Sequence, residues 1–193
     1  MDTVSVQQSI LSLEGIFKQM VVNYNTFGAV WKNIGLAREA FEILKSLPNV
    51  VKGEFDTPAE KASILSDMLE QIEETIAPRL CIEIREYMQS LSADDSNNIE
   101  MLEQLRDFID IKFPMEEYCR KYHKMLKFDP VERTKEWEDV ICAVETECAE
   151  ILKDEPQGMG FCFSYWSTKK AVLAKYGIVW RSPSAMNPRV MFD

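Results

Sequence analysis

The chain has 193 residues, of which 46% are hydrophobic and 28% are charged. This length and balance are typical of one globular domain and exclude a wholly disordered chain. The formal net charge of −10 repels phosphate backbones, so we do not expect nucleic acid to be the main partner.

The sequence gives no membrane or secretion signal. Its apolar runs fall short of the roughly 18 residues that cross a bilayer, and the first 17 residues contain no Lys or Arg. We therefore expect no membrane association and a cytoplasmic location. The five cysteines are odd in number and widely spaced, which predicts free thiols. They are Cys81, Cys119, Cys142, Cys148 and Cys162.

Apolar residues recur every three or four positions through most of the chain, which is typical of helices with one buried face. The sequence therefore predicts an all-α fold, a single-domain bundle of six or seven helices over residues 1–193. We expect residues 1–157 to form an acidic helical body. Residues 158–193 are expected to form an extended, turn-rich, aromatic and basic segment packed on that body.

Two apolar stripes predict the first two helices. The first stripe consists of Ile10, Leu13, Phe17, Met20 and Tyr24. The second consists of Val30, Ile34, Ala37, Phe41 and Leu44. Pro48 is predicted to end the second helix.

Later helices have recognisable start signals. Thr57-Pro58-Ala59-Glu60 combines a capping hydroxyl, a proline and a glutamate, and Asp129-Pro130-Val131-Glu132 repeats this pattern. Pro78 is expected to kink or divide the helix that contains it. Asn97 and Glu100 are predicted to cap another helix. The predicted buried positions are Ile99, Leu102, Leu105 and Ile109 in that helix, then Trp137, Val140, Ile141, Val144, Cys148, Ile151 and Leu152 in the next.

A break at 155–160 precedes a change in composition, with seven aromatic residues in the last 33. A helix from about Ser164 to Tyr176 should end at Gly177. A small β element near 161–166 or 178–181 is the alternative, because the first of these segments alternates and is rich in aromatic residues. Beyond it, Ser182 and Pro183 indicate a single helical turn.

The sequence contains one histidine, His123, which excludes zinc-protease and di-iron helix motifs. Cys119 lies four residues before it, so the two side chains are predicted to share a helical face. Their spacing relative to Cys142 and Cys148 does not match a structural zinc site. The sequence therefore predicts no metal, no cofactor and no catalytic residues, and it favours a protein that is not an enzyme.

The C-terminal segment 161–193 has a net charge of +4, whereas the preceding 160 residues carry −14. In one interpretation its aromatic rings complete the core and its cations face the acidic body. In the other, a set of ring and cationic side chains grips an anionic group. This hypothetical binding set consists of Tyr165, Trp166, Lys169, Lys170, Trp180 and Arg181.

Two functional hypotheses follow. The preferred one is a non-catalytic interaction or inhibitor-type protein that binds a basic protein partner, because acidity steers the encounter. The alternative is a binding protein or enzyme for a small anionic ligand, with a pocket between the C-terminal aromatic segment and the bundle. The sequence leaves the oligomeric state open.

Overall fold

The computed structural model describes residues 3–48, 58–91 and 95–192, with only the backbone described for residues 3–5. Within these ranges the chain forms nine α-helices and two 3-10 turns, and no β-strand. The all-α prediction is therefore confirmed, with more helices than the predicted six or seven. One of the nine is a short helix of seven residues that begins directly after Pro114. In the same ranges, no helix has the length and apolar character needed to cross a bilayer.

Residue contacts group the chain into two compact units, Met1–Leu105 and Arg106–Asp193, here called the N-terminal and C-terminal units. The elements of the first are α1 (Thr3–Tyr24), a 3-10 turn (Val30–Lys32), α2 (Asn33–Ser46), α3 (Pro58–Leu69), α4 (Pro78–Leu91) and most of α5 (Ser96–Ile109). Those of the second are the end of α5, α6 (Met115–Lys121), a 3-10 turn (Pro130–Arg133), α7 (Lys135–Ile151), α8 (Phe161–Lys175) and α9 (Pro183–Met186).

In the N-terminal unit, α2 buries its predicted stripe apart from Val30, which lies in the preceding 3-10 turn. The first helix agrees less well. Leu13 and Met20 are buried as predicted, but Tyr24 is 52% exposed and Ile16 is buried instead. The prediction was therefore partly wrong. Apolar side chains lie on more than one face of α1, so their spacing does not identify which face is buried.

The prolines behave as predicted in this unit. Pro58 is the first residue of α3, although the predicted cap at Thr57 lies outside the described residues. Pro78 is the first residue of α4 and so divides the predicted helix. For α5 the predicted cap is wrong, because Asp95, not Asn97, accepts the hydrogen bond of a free backbone N–H. Ile99 is 44% exposed, which corrects its predicted burial.

In the C-terminal unit, Asp129 and Glu132 form the predicted capping box. This box starts a 3-10 turn, however, and α7 begins later, capped by the Thr134 hydroxyl. The helix buries Trp137, Ile141, Val144 and Cys148, whereas its last residue, Ile151, is exposed. Leu152, which follows the helix, is buried.

Residues 161–166 belong to α8, so the alternative of a strand there is wrong. Gly160 and Gly177 adopt positive φ angles of 86° and 76° on either side of this helix, a conformation that favours glycine. Residues 178–181 form neither helix nor strand. Ser182 then caps the single turn α9, as predicted.

Candidate functional site

The structure brings part of the predicted binding set together against α7. We call the resulting group the tail cluster. Its members are Tyr165, Lys169 and Trp180 from the C-terminal segment, with Trp137 and Glu145 from α7. Residues 165 and 169 lie one turn apart on α8 and therefore present their side chains on one face. The cluster is built entirely within the C-terminal unit.

Lys169 is the centre of the tail cluster. Its Nζ atom donates to Oε1 of Glu145 at 2.7 Å and to the hydroxyl oxygen of Tyr165 at 3.3 Å. The Tyr165 hydroxyl in turn donates to the Glu145 carboxylate at 2.7 Å. These three polar groups thus satisfy one another where little water reaches them.

Aromatic rings surround the same ammonium group. Nζ lies 5.1 Å from the ring centroid of Trp137, 5.4 Å from that of Tyr165 and 5.5 Å from that of Trp180. Such distances allow cation–π attraction. Lys169 therefore occupies an aromatic cage with its own carboxylate counter-ion, as a ligand ammonium would in a binding protein.

The residues that follow α8 form hydrogen bonds with the two carboxylates of the capping box. The indole Nε1 of Trp180 donates to Oε1 of Glu132 at 2.7 Å. The backbone N and the Nε atom of Arg181 donate to Oδ2 of Asp129 at 2.8 and 2.9 Å. The two carboxylates that cap the 3-10 turn therefore also hold the loop that follows α8.

The two capping carboxylates have opposite pKa shifts. Burial raises the pKa of Glu132, and the Trp180 hydrogen bond and the Lys169 charge offset this only in part. Burial also acts to raise the pKa of Asp129, but the hydrogen bonds from Arg181 and from the Val131 backbone lower it overall. Glu132 thus resists ionisation more than an ordinary glutamate.

The remaining members of the predicted binding set lie elsewhere. Trp166 packs edge-on against Phe163 and Phe192, with ring centroids 5.4 and 5.1 Å apart. Lys170 is exposed. The six residues therefore do not form one surface: Tyr165, Lys169 and Trp180 join the tail cluster, and Arg181 lies beside it.

The cations of the tail cluster and of the neighbouring Arg181 are both paired with carboxylates. Lys169 is paired with Glu145, and Arg181 is paired with Asp129. An anion approaching either cation would have to compete with a carboxylate already at hydrogen-bonding distance. Sequence reasoning missed Glu145 and the ring of Trp137 as partners, because they are separated from Lys169 by many residues and carry no motif.

The predicted cysteine and histidine pair is not formed on one helical face. Cys119 lies in α6, which ends at Lys121, and His123 follows the helix with a positive φ of 52°. The prediction assumed that the helix continues. Among the residues that the structure describes, no group of three or more His, Cys, Asp or Glu side chains is placed to hold a metal ion.

A run of exposed acidic side chains without basic neighbours in sequence lies in the N-terminal unit. Asp67 in the last turn of α3 is followed by Glu70, Glu73 and Glu74, and we call the range 67–74 the acidic segment. It contains no Lys or Arg. Three of its carboxylates are exposed, at Asp67, Glu70 and Glu73.

The fourth carboxylate of the acidic segment has a structural role. Glu74 forms a two-pronged ion pair with Arg85 of α4, whose Nε donates to Oε2 at 3.1 Å. Arg85 also donates from Nη1 to Oδ1 of Asn98 at 3.2 Å. This arrangement fixes the end of the acidic segment on the N-terminal unit and leaves the other three carboxylates facing solvent.

Comparisons with protein-family models, with curated proteins and with solved structures each gave no match. The functional proposal therefore rests on the residues of this chain.

Proposed function

We propose that this protein is a non-catalytic, cytoplasmic binding protein whose acidic N-terminal unit recognises a basic protein. The observation that carries the proposal is the unequal exposure of charge in that unit. Twelve of its thirteen described Asp and Glu residues are exposed, whereas only three of its seven described Lys and Arg residues are. The surface is therefore more acidic than the composition alone implies.

The buried cations explain this imbalance. Lys61 and Arg85 are 2% and 6% exposed, so their charges are withdrawn from the surface. The sequence of the whole N-terminal unit has 17 acidic and eight basic residues, a net charge of −9. A field of this sign attracts basic proteins over several ångströms and speeds their encounter.

Within this surface, the acidic segment is the best candidate contact. Asp67 lies in the last turn of α3, where the helix dipole is negative and where the structure places no basic residue. Carboxylates near that end destabilise a helix by a few tenths of a kcal/mol. Since stability does not account for this placement, recognition is the function that the acidic segment serves best.

The five cysteines support the proposed compartment. All five are thiols outside disulfide bonds, and cysteines stay in this state where the surroundings are reducing. The tail cluster supports the non-catalytic assignment, because Lys169 and the neighbouring Arg181 are each engaged by a carboxylate of the same chain.

The proposal is tested with two variants of equal charge. In the first, D67N/E70Q/E73Q, the exposed carboxylates of the acidic segment are neutralised. In the control, D154N/E155Q/E150Q, three exposed carboxylates of the C-terminal unit are neutralised. Proteins captured from a lysate of the source organism are identified. The dissociation constant of each captured protein is then measured with the unmodified chain and with both variants at increasing salt concentration.

We expect a partner with a basic surface whose affinity falls with salt. The acidic-segment variant should bind it at least about tenfold more weakly, which corresponds to ~1.4 kcal/mol. The control should bind it as the unmodified chain does. Equal affinity of both variants, or a partner whose binding is insensitive to salt, would overturn the proposal.

A further inference from the structure

The first helix has an exposed face opposite the one that it buries. Six exposed residues follow one another at intervals of four and three along α1 and its end, namely Gln7, Leu11, Glu14, Lys18, Val21 and Asn25. Leu11 and Val21 are 63% and 46% exposed, and the neighbouring Val22 is 58% exposed. Alternating intervals of four and three are the repeat with which two helices pack along a common seam.

The order of residues on this face is self-complementary. When two copies of α1 run antiparallel around a two-fold axis level with Ile16, Leu11 of one copy lies opposite Val21 of the other. In the same arrangement Glu14 lies opposite Lys18. Both relationships occur twice because of the symmetry, and a two-fold interface requires such a match of a patch with itself. We propose that this face of α1 joins two copies of the chain as an antiparallel helix pair.

Charge placement supports a second copy as the occupant. Glu14 and Lys18 are the only charged residues in the sequence of α1, and both lie on the exposed face. Within one chain they form a solvent-exposed pair with Nζ and Oε2 3.6 Å apart. In the antiparallel pair, each of them also lies opposite a residue of opposite charge in the other copy. The two contacts between Leu11 and Val21 lie on either side of these charges.

Gly15 provides an independent observation. It lies in the middle of α1 and is exposed, and a Cβ atom there would meet no atom of the described residues within 4 Å, apart from its chain neighbours and the backbone of its own helix. Glycine weakens a helix interior relative to alanine, and packing among the described residues does not require a glycine at this position. Beside the proposed two-fold axis, the missing side chain lets the two helix backbones approach closely.

The test uses charge reversal in the full chain, with the molar mass measured by sedimentation equilibrium. We expect a dimer for the unmodified protein. E14K places lysine opposite lysine, and K18E places glutamate opposite glutamate, so each should raise the dissociation constant roughly tenfold or more. The double variant E14K/K18E should dimerise again. Mixing E14K with K18E should give a heterodimer, because both facing pairs are then of opposite charge.

The mixing experiment is decisive. If Glu14 and Lys18 interacted only within one chain, mixing E14K with K18E would not restore association. R38E and E39K serve as charge-matched controls at exposed positions of α2, and they should leave the dimer intact. L11Q removes an exposed apolar contact and should also weaken association, with an unchanged helical signal in circular dichroism. A monomeric unmodified chain, or E14K and K18E that do not pair when mixed, would overturn the proposal. The proposed acidic recognition surface does not depend on this outcome.

Discussion

Lys169 and Glu145 form an ion pair that is almost shielded from water, with Nζ and Oε1 2.7 Å apart and the side chains 13% and 8% exposed. A charge left alone in such a place costs several kcal/mol, because no water replaces the lost partner. The pair therefore makes the docking of α8 on α7 depend on two specific side chains rather than on apolar contact alone.

The first prediction concerns this pair. K169M and E145Q should each lower the free energy of unfolding by ~3 kcal/mol, since each leaves the other group without its partner. The double variant K169M/E145Q should lose less than the sum of the two. Urea unfolding curves of the four proteins measure this coupling. Purely additive losses would show that the two groups do not stabilise each other.

The second prediction concerns Arg133, which is 2% exposed. Its guanidinium donates to four backbone carbonyls in the last turn of α5 and just beyond it, those of Asp107, Phe108, Asp110 and Phe113. R133M should cost about 3 kcal/mol or more, because several buried acceptors lose their donors. R133K should be intermediate, since an ammonium cannot reach all four. Thermal unfolding of both variants tests this order, and equal melting points for the two would contradict it.

The third prediction is a pH dependence at Glu132. Burial raises the pKa of this carboxyl above the ordinary value of 4.5. Because the unfolded chain loses the proton first, the folded state loses stability as pH rises from 4.5 to the raised pKa, and no further above it. E132Q removes this contribution and keeps an oxygen to accept from the Trp180 indole.

Stability of E132Q relative to the unmodified chain should therefore increase over that pH window and then become constant. Unfolding measured by denaturant at a series of pH values gives the difference directly. E132D is not a suitable control, because the shorter side chain also moves the carboxylate. A difference that falls as pH rises would mean that Glu132 ionises more readily in the folded protein.

The fourth prediction concerns thiol reactivity. Burial and the nearby Glu145 carboxylate raise the pKa of Cys148 to about 11. At pH 8 roughly one Cys148 side chain in a thousand is the reactive thiolate. Alkylation followed by mass spectrometry should therefore show Cys148 reacting far more slowly than the half-buried Cys162, with the difference abolished by denaturant. Equal rates in the folded protein would contradict the described packing of α7.

Much of the fold was predictable from the sequence, because amphipathic helices and prolines leave local signals. The α2 stripe and the division of the predicted helix at Pro78 are examples. Prediction failed where local signals are ambiguous. In α1 both the buried and the exposed faces carry apolar residues, so periodicity does not distinguish Ile16 from Tyr24.

The candidate site was less predictable, because its contacts join distant parts of the chain. Lys169 was singled out, but its charge is neutralised by Glu145, which no motif marks. Arg133 was not singled out at all, since only the fold reveals the carbonyls that it binds. A single sequence shows which residues carry charge, but not which charges are already paired.

The most direct test of the proposed function is a footprint of the bound basic partner on the full chain by hydrogen exchange. The proposed function predicts that binding slows exchange in and around the acidic segment 67–74 and leaves Tyr165 to Arg181 unchanged. Protection centred on Tyr165 to Arg181, with none at 67–74, would contradict it and place recognition in the aromatic, basic C-terminal segment instead.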